Sequence, residues 1–81
     1  MKLPRAVSGS ELGKRLGVFG YKVSRQTGSH LRLTTTQGGE HHLTIPLHDS
    51  LRVGTLAGIL ADVGEHLGLT KDEVIIQTFR K

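Results

Sequence analysis

A histidine placed among cations is the feature of this sequence best suited to catalysis. His30 follows a basic stretch that contains Lys22 and Arg25, and Arg32 comes just after it. An imidazole titrates near neutral pH and can take a proton from a ribose 2′-hydroxyl, while neighbouring cations hold the phosphate and stabilise its developing charge. Such a reaction leaves a 2′,3′-cyclic phosphate and needs no metal ion or other cofactor. On this pattern alone, an ordinary surface histidine on a strand is the commoner case.

The other histidines are weaker candidates. His48 could act as the general acid that protonates the leaving 5′-oxygen, or it could cap a loop at the end of a strand. His41 and His42, with His48 and Asp49, have the residue types of a zinc site. Adjacent strand residues point to opposite faces, however, so these two histidines do not easily share one metal ion. His66 lies late in a predicted helix, where a histidine favours the C-terminal end electrostatically.

Length and composition limit the possible classes of protein. The chain has 81 residues, which predicts one domain over residues 1–81 with a single two-layer core. It contains no cysteine, which excludes a disulfide framework, a thiolate metal site and a cysteine nucleophile. Nothing in it resembles a signal peptide or a membrane span, so we expect a cytoplasmic protein without a membrane partner.

Positive charge is concentrated in the first part of the chain. Residues 1–32 carry seven Lys or Arg side chains and one Glu, a net charge of +6, and the remaining residues have a net charge of −2. This asymmetry indicates a polyanion as partner, most commonly a nucleic acid. Aromatic residues make up only 4% of the chain, which gives little support for a base-stacking platform. The residues expected to contact RNA are Lys22, Arg25, Gln26, Ser29 and Arg32, of which the three cations would contact phosphates.

Alternating polarity on both sides of Thr27-Gly28-Ser29 predicts a β-hairpin. Residues opposite each other on paired strands share one face of the sheet, and Val23, Leu31 and Leu33 all have odd numbers. If all three face the core, each cross-strand pair must join two odd-numbered or two even-numbered residues, which requires a loop with an odd number of residues. A three-residue loop, Thr27-Gly28-Ser29, meets this condition and places Gln26 opposite His30. The face away from the core would then be polar and basic, with Lys22, Ser24, Gln26, His30, Arg32 and Thr34.

A third strand is predicted after Gly38-Gly39, where apolar residues at positions 43, 45 and 47 alternate with polar ones. The apolar residues at odd-numbered positions must again share the core face, which requires a loop with an odd number of residues. A three-residue loop, Gly38-Gly39-Glu40, would place His30 opposite His48, whereas a five-residue loop would place His30 opposite Pro46. Both registers keep the two histidines on one face. Pro46 indicates that this is an edge strand.

Helices are predicted on both sides of the three strands. Ser8-Gly9-Ser10-Glu11 fits a capping box that opens the first helix, which Gly17 or Gly20 ends. The second has a clear apolar stripe from Leu56 to Leu67, with Thr55 as N-cap and Gly68 as its stop. Thr70-Lys71-Asp72-Glu73 is another capping box and opens a short final helix. With both long helices on one face of the antiparallel sheet, the fold class is α+β, in two layers.

Several of these elements together resemble the HicA (YcfA-like) family of toxins, over about residues 2 to 76. The most specific part is Arg25-Gln26-Thr27-Gly28-Ser29-His30. The other matching elements are Ser8-Gly9 with Glu11, Gly20-Tyr21, Ile45-Pro46-Leu47-His48, and Gly54-Thr55-Leu56 with Ile59-Leu60.

The resemblance implies a fold like the double-stranded-RNA-binding domain, a metal-independent ribonuclease activity on mRNA, and neutralisation by a cognate HicB antitoxin. The family's catalytic histidine corresponds to His30. Its Pro-His element corresponds to Pro46 and His48, for which a supporting role is inferred. The leading hypothesis is therefore a toxin endoribonuclease that uses His30 as general base. The alternative is a non-catalytic RNA-binding or protein-interaction module with the same fold and basic face.

Overall fold

The computed structural model describes residues 3–80, which form a three-stranded antiparallel sheet with helices on one side. The strands are β1 (Lys22–Thr27), β2 (His30–Thr35) and β3 (His41–Pro46), paired in the order β1-β2-β3. The helices are α1 (Gly9–Arg15), α2 (Val53–Leu67) and α3 (Lys71–Thr78), and a 3-10 turn, Leu16–Phe19, follows α1. The predicted α+β order is confirmed. No helix within residues 3–80 is both long and apolar enough to cross a membrane.

The core lies between the helices and the inner face of β2 and β3. Leu31 and Leu33 on β2, and Leu43 and Ile45 on β3, are buried against the apolar residues of the helices. Alternation along these two strands therefore places one face in the core, as predicted. The helical contributors to the core include Leu12, Leu56, Ile59, Leu60, Val63, Val74 and Ile75.

Capping side chains set the starts of α1 and α3. Ser8 Oγ accepts a hydrogen bond from the Glu11 backbone N–H at 3.0 Å. The Glu11 carboxylate pairs with Arg15 one turn later, at 2.8 Å. Thr70 and Glu73 form a complete reciprocal capping box at the start of α3. Hydrogen bonds from the Thr70 backbone, and then from its side chain, lower the pKa of Glu73.

Helix α2 begins earlier than predicted. The sequence favours Thr55 as the N-cap, but the helix begins at Val53, with Arg52 as N-cap in an extended conformation. The Arg52 side chain does not cap the helix, and the first turn is closed by the Leu56 N–H, which donates to the Arg52 carbonyl at 2.9 Å. The prediction is wrong because backbone closure outweighs the capping preference of Thr55, which is exposed within the first turn.

The loop of the β1-β2 hairpin is shorter than predicted. It consists of Gly28-Ser29, so Thr27 lies opposite His30 and Gln26 lies opposite Leu31. The predicted three-residue loop is therefore wrong, as is the placement of Gln26 opposite His30. Gly28 has a φ of 46°, a left-handed conformation that glycine adopts without steric cost. A two-residue loop of this type matches the right-handed twist of the flanking strands.

A β-bulge at Ser24 reconciles the short loop with the apolar pattern. Val23 pairs with Leu33, whereas Arg25 pairs with Arg32, so Ser24 is the extra residue on β1. The Ser24 hydroxyl donates to the Arg32 carbonyl at 3.3 Å. A bulge exchanges the two faces of one strand beyond the point where it occurs. It therefore moves Arg25 to the face that carries His30 and moves Gln26 to the side of the helices.

Strand β1 remains exposed along its whole length. Val23 lies on the helix side of the sheet, opposite the fully buried Leu33, yet it is 57% exposed. The main sheet contacts of α1 are with β2 and β3, and the main sheet contacts of α2 are with β3, so the helices cover the helix side of β1 least. The prediction that Val23 is buried in the core is therefore wrong.

The five-residue alternative for the β2-β3 loop is confirmed. Thr35 lies opposite His41, and His30 lies opposite Pro46. The three-residue alternative, which would have placed His30 opposite His48, is wrong. Gly38 and Gly39 both have positive φ, of 70° and 106°, so the wider turn depends on two residues without a Cβ. β3 is an edge strand, as Pro46 predicted.

Candidate nucleic-acid interface

The sheet face away from the helices, here called the open face, carries a shallow pocket around His30. The pocket has a volume of about 280 Å³ and is lined by Arg25, Thr27, His30, Arg32 and Thr44. All three strands contribute to it, since Thr27 pairs with His30 and Arg32 pairs with Thr44. Every one of these residues is exposed, so a polymer such as RNA can reach the pocket without any opening motion.

Two arginines face each other inside this pocket. Arg25 and Arg32 are Cα partners on β1 and β2, and both are on the open face. Like charges directly opposite each other on neighbouring strands are destabilising. Within the part of the chain that the structure describes, no lining residue of the pocket is acidic. The pair therefore favours an anion between the two guanidinium groups, and a phosphate matches their fork geometry.

His30 is the first residue of β2 and lies at the mouth of the hairpin turn. Its ring Nδ1 is 3.4 Å from Ser29 Oγ, which leaves Nε2 as the nitrogen available to a substrate. The Ser29 carbonyl accepts a hydrogen bond from the Leu47 N–H at 2.7 Å. The turn that carries His30 is thereby tied to the residue after β3. An exposed imidazole held in this way can accept a proton from a bound hydroxyl.

The structure brings together some of the predicted site residues and separates others. Arg25, His30 and Arg32 line one pocket, with Ser29 next to it in the turn. Lys22 pairs with Thr34 at the other end of β1. Gln26 is on the helix side of the sheet, where it lines a separate groove between α1 and β1.

His48 is exposed beyond the end of β3 and does not line the pocket. Its carbonyl oxygen accepts a hydrogen bond from the Gly9 N–H at 3.0 Å, which fixes the backbone at the start of α1. It lies two residues after Pro46, the Cα partner of His30. The segment that carries His48 is thus held near the His30 turn through the backbone of Leu47.

Two threonines that the sequence did not single out also line the pocket. The prediction places Thr27 in the loop, whereas it is the last residue of β1 and lies opposite His30. The Gly28-Ser29 dipeptide is typical of a two-residue hairpin loop and could have identified this position. The position of Thr44 follows from the five-residue β2-β3 loop, which places it opposite Arg32.

A chain of hydrogen bonds runs along the open face beyond the pocket. The Thr34 hydroxyl donates to Ser24 Oγ at 2.9 Å and lies 2.8 Å from His42 Nδ1. The other ring nitrogen of His42 is 2.9 Å from the Glu40 carboxylate. These contacts hold the bulge at Ser24 and therefore support the position of Arg25.

His41 lies on the opposite face from His42, as adjacent strand residues must. It stacks on His66 of α2, with ring centroids 4.3 Å apart, and its Nδ1 is 2.8 Å from the Tyr21 hydroxyl. Burial, and then the nearby Asp62 carboxylate, raise the pKa of Tyr21 to about 12. His66 Nε2 also lies 3.0 Å from the Gln37 carbonyl, so this histidine anchors the β2-β3 loop to the helix. No cluster of three His, Cys, Asp or Glu residues within residues 3–80 could hold a metal ion.

Comparison with known proteins assigns the chain to a family. A family model described as the HicA toxin of bacterial toxin-antitoxin matches residues 9–65 of the 81. The chain belongs to this HicA toxin family. The match runs from the start of α1 to the last turns of α2 and includes every residue that lines the pocket on the open face. No curated protein and no solved structure gives a significant match.

Membership confirms the resemblance noted in the sequence. This HicA protein is the toxin component of a toxin-antitoxin pair, and the family implies an antitoxin as its partner.

Proposed function

We propose that this HicA toxin is an endoribonuclease that cleaves mRNA without a metal ion, with His30 as the general base. The observation that carries the proposal is the cross-strand pair Arg25 and Arg32 beside His30, in a pocket that all three strands build. A base next to two cations can supply two parts of RNA transesterification, the removal of the 2′-hydroxyl proton and the stabilisation of the charge on the phosphate. Since mRNA is the proposed substrate, we expect the toxin to act in the cytoplasm.

In the proposed reaction the 2′-oxygen of a ribose attacks the adjacent phosphorus atom. His30 Nε2 takes the proton from the 2′-hydroxyl as the new P–O bond forms. The bond from phosphorus to the 5′-oxygen of the next nucleotide then breaks, which leaves a 2′,3′-cyclic phosphate and a free 5′-hydroxyl. General base catalysis supplies about 10² to 10⁴ in rate, and Arg25 and Arg32 add to it by stabilising the charge that develops on the phosphate.

Further contacts to RNA come from residues near the pocket. Lys22, at the far end of the same hairpin, is suited to a phosphate outside the reacting one. Ser29 contacts the His30 ring and can help to hold its orientation. The sequence also favours Gln26 as an RNA contact, but its position on the helix side of the sheet excludes it from the same RNA path.

The leaving 5′-oxygen requires a proton, and we assign this supporting role to His48. It is exposed, and its backbone segment is tied to the His30 turn by the hydrogen bond between Leu47 and Ser29. A substrate with sulfur in place of the leaving 5′-oxygen needs no such proton, because a thiolate is the better leaving group. We therefore expect this substrate to restore cleavage by His48→Ala but not by His30→Ala. Equal rescue of both variants, or of neither, would show that His48 is not the acid.

The decisive experiment measures cleavage of a defined RNA by the purified chain in EDTA. We expect cleavage by the wild type, products that end in 2′,3′-cyclic phosphate, and a loss of about 10² to 10⁴ in rate for His30→Ala. Thr36→Ala is the control, because Thr36 is exposed in the β2-β3 loop and does not line the pocket. An RNA with a single 2′-deoxy substitution at the cleaved nucleotide should resist cleavage, because it lacks the nucleophile.

Two results would contradict the proposal. Equal cleavage by the wild type and His30→Ala would remove His30 from the reaction. RNA binding without cleavage by either protein would instead identify a non-catalytic RNA-binding module.

A further inference from the structure

The groove between α1 and β1 is a second surface, separate from the pocket on the open face. It has a volume of about 590 Å³. Lys14 of α1 lines one side, and Lys22 and Val23 of β1 line the other. Leu31 and Leu47 add apolar surface between them. The groove is therefore apolar inside and cationic at its edges.

Val23 shows that this groove lacks a cover. Its cross-strand partner Leu33 is fully buried by the helices, whereas Val23 is 57% exposed on the same side of the sheet. Gly13 in α1 fixes the separation of the helix from β2, because a Cβ at this position would lie 2.7 Å from Leu31 Cδ2. The helix thus lies close to β2 and leaves the apolar side chain of the edge strand uncovered. A partner that buries Val23 would gain the free energy of removing this surface from water.

The charges around the groove select the kind of partner. Among the described residues that line it, two are lysines and none is acidic. A protein segment with an apolar side chain and neighbouring carboxylates matches both properties. RNA matches less well, because Tyr21 is the one aromatic residue that lines the groove, and its hydroxyl is already in contact with His41. A second copy of this chain would bring its own net charge of +4 against the same lysines.

We infer that this groove docks an acidic segment of the antitoxin, with an apolar side chain against Val23 and carboxylates beside Lys14 and Lys22. The inference rests on membership of the toxin family, which implies an antitoxin, and does not depend on ribonuclease activity. The groove is on the helix side of the sheet, whereas His30 opens on the other face. A chain altered at Val23 or Lys14 should therefore keep its activity while it escapes its antitoxin, whereas Lys22 is also a proposed RNA contact and is left unchanged in this test.

The test measures the affinity of the purified chain for its cognate antitoxin. For Val23→Glu we expect the affinity to fall by about tenfold or more, because a carboxylate would then face the partner's own carboxylates. Val18→Glu is the matched control, since Val18 is 56% exposed on the 3-10 turn and lies outside the groove. Lys14→Glu should also weaken binding and should reduce its dependence on salt.

Additional measurements keep the result interpretable. Circular dichroism and thermal unfolding check that each variant is folded, and Val23→Thr, which keeps the shape of the side chain, replaces Val23→Glu if that variant unfolds. RNA cleavage is measured separately with each variant, with and without the antitoxin. We expect Val23→Glu to cleave RNA at the wild-type rate but to need about tenfold more antitoxin for inhibition.

Several outcomes would overturn the inference. Unchanged affinity in Val23→Glu, or an equal loss in Val18→Glu, would show that the groove does not hold the antitoxin. A wild-type dimer that Val23→Glu converts to a monomer, with antitoxin affinity unchanged, would identify a second copy as the occupant. A loss of RNA affinity alone would identify RNA. If the wild type does not cleave RNA but binds its antitoxin, and Val23→Glu weakens that binding, the result would contradict the ribonuclease proposal and support the antitoxin groove.

Discussion

Arg25 and Arg32 lie directly opposite each other on β1 and β2, on the face of the sheet that carries His30. The bulge at Ser24 produces this relationship, because regular pairing from Val23 onward would place Arg25 on the helix side. Two like charges at paired positions repel each other in the free protein. The fold therefore holds an unfavourable pair at the point where an anionic substrate would relieve it.

Substitution of either arginine should weaken RNA binding without lowering the free energy of unfolding. For Arg25→Gln or Arg32→Gln we expect RNA affinity to fall, and the slope of log affinity against log salt to decrease by about 0.7 for single-stranded RNA, because one phosphate contact is lost. The free energy of unfolding should stay unchanged or rise by about 0.2–1 kcal/mol, because the cross-strand repulsion is removed. Binding titrations at several salt concentrations, with urea unfolding, measure both quantities.

Arg52→Gln is the matched control for this prediction. Arg52 is exposed, its side chain makes no capping hydrogen bond, and it does not line the pocket. A salt slope that falls equally in the control and in the two pocket variants would indicate a general effect of net charge and not a phosphate site.

The sequence predicted the parts of the fold that depend on regular alternation. Leu31 and Leu33 had to share the core face, and this requirement left two possible lengths for the β2-β3 loop, three or five residues. The five-residue loop is the one that forms. The position of Arg25 could not be predicted in the same way. A bulge adds one residue to one strand, and the apolar pattern before it gives no sign of the change.

The exposure of Val23 was also beyond the reach of sequence reasoning. Its alternation with polar neighbours correctly places it on the helix side, opposite Leu33. Burial, however, depends on how far the helices extend across the sheet. Gly13 allows α1 to lie close to β2, and that distance is a property of packing between elements distant in sequence.

The Ser24 hydroxyl should matter for activity more than for stability. It donates to the Arg32 carbonyl and accepts from Thr34, so it fixes the bulge that positions Arg25. We expect Ser24→Ala to lower the RNA cleavage rate by about tenfold, since small displacements of a positioning group are costly in catalysis. Ser50→Ala, at an exposed serine in a loop, should leave the rate unchanged. A full-rate Ser24→Ala variant would show that the bulge holds without this hydroxyl.

Two glycines should respond in opposite directions to the same substitution. In Gly9→Ala the new Cβ would overlap the Pro46 carbonyl, a backbone atom that cannot move cheaply, and we expect a loss of about 1–3 kcal/mol in the free energy of unfolding. Gly58 lies on the exposed side of α2, where a methyl group would meet no atom of another element within 4 Å. Gly58→Ala should therefore stabilise the protein by about 0.5–1 kcal/mol through helix propensity. Urea unfolding of both variants measures the two changes, and equal effects would contradict the close approach of α1 to β3.

The loss of folding stability at high pH should depend on Tyr21, the single tyrosine of the chain. Its pKa is raised from 10.0 to about 12 by burial and by Asp62, so the folded state favours the neutral hydroxyl. A group with a raised folded pKa contributes stability that is complete below its unfolded pKa and is lost as the pH rises through the folded value. We therefore expect the wild type to lose stability between pH 10.0 and about 12, relative to Tyr21→Phe.

Tyrosinate absorbance reports this titration directly, because no other residue of the chain contributes to it. The midpoint should lie near pH 12 in the folded protein and return to about 10.0 in urea. Asp62→Asn should lower the folded midpoint only in part, because burial is the larger cause of the shift. Tyr21→Phe should also cost about 0.5–1.5 kcal/mol at neutral pH, since the hydroxyl contact with His41 Nδ1 at 2.8 Å is lost. A folded midpoint at 10.0 would mean that water reaches the hydroxyl, and that Tyr21 does not hold His41 against α2.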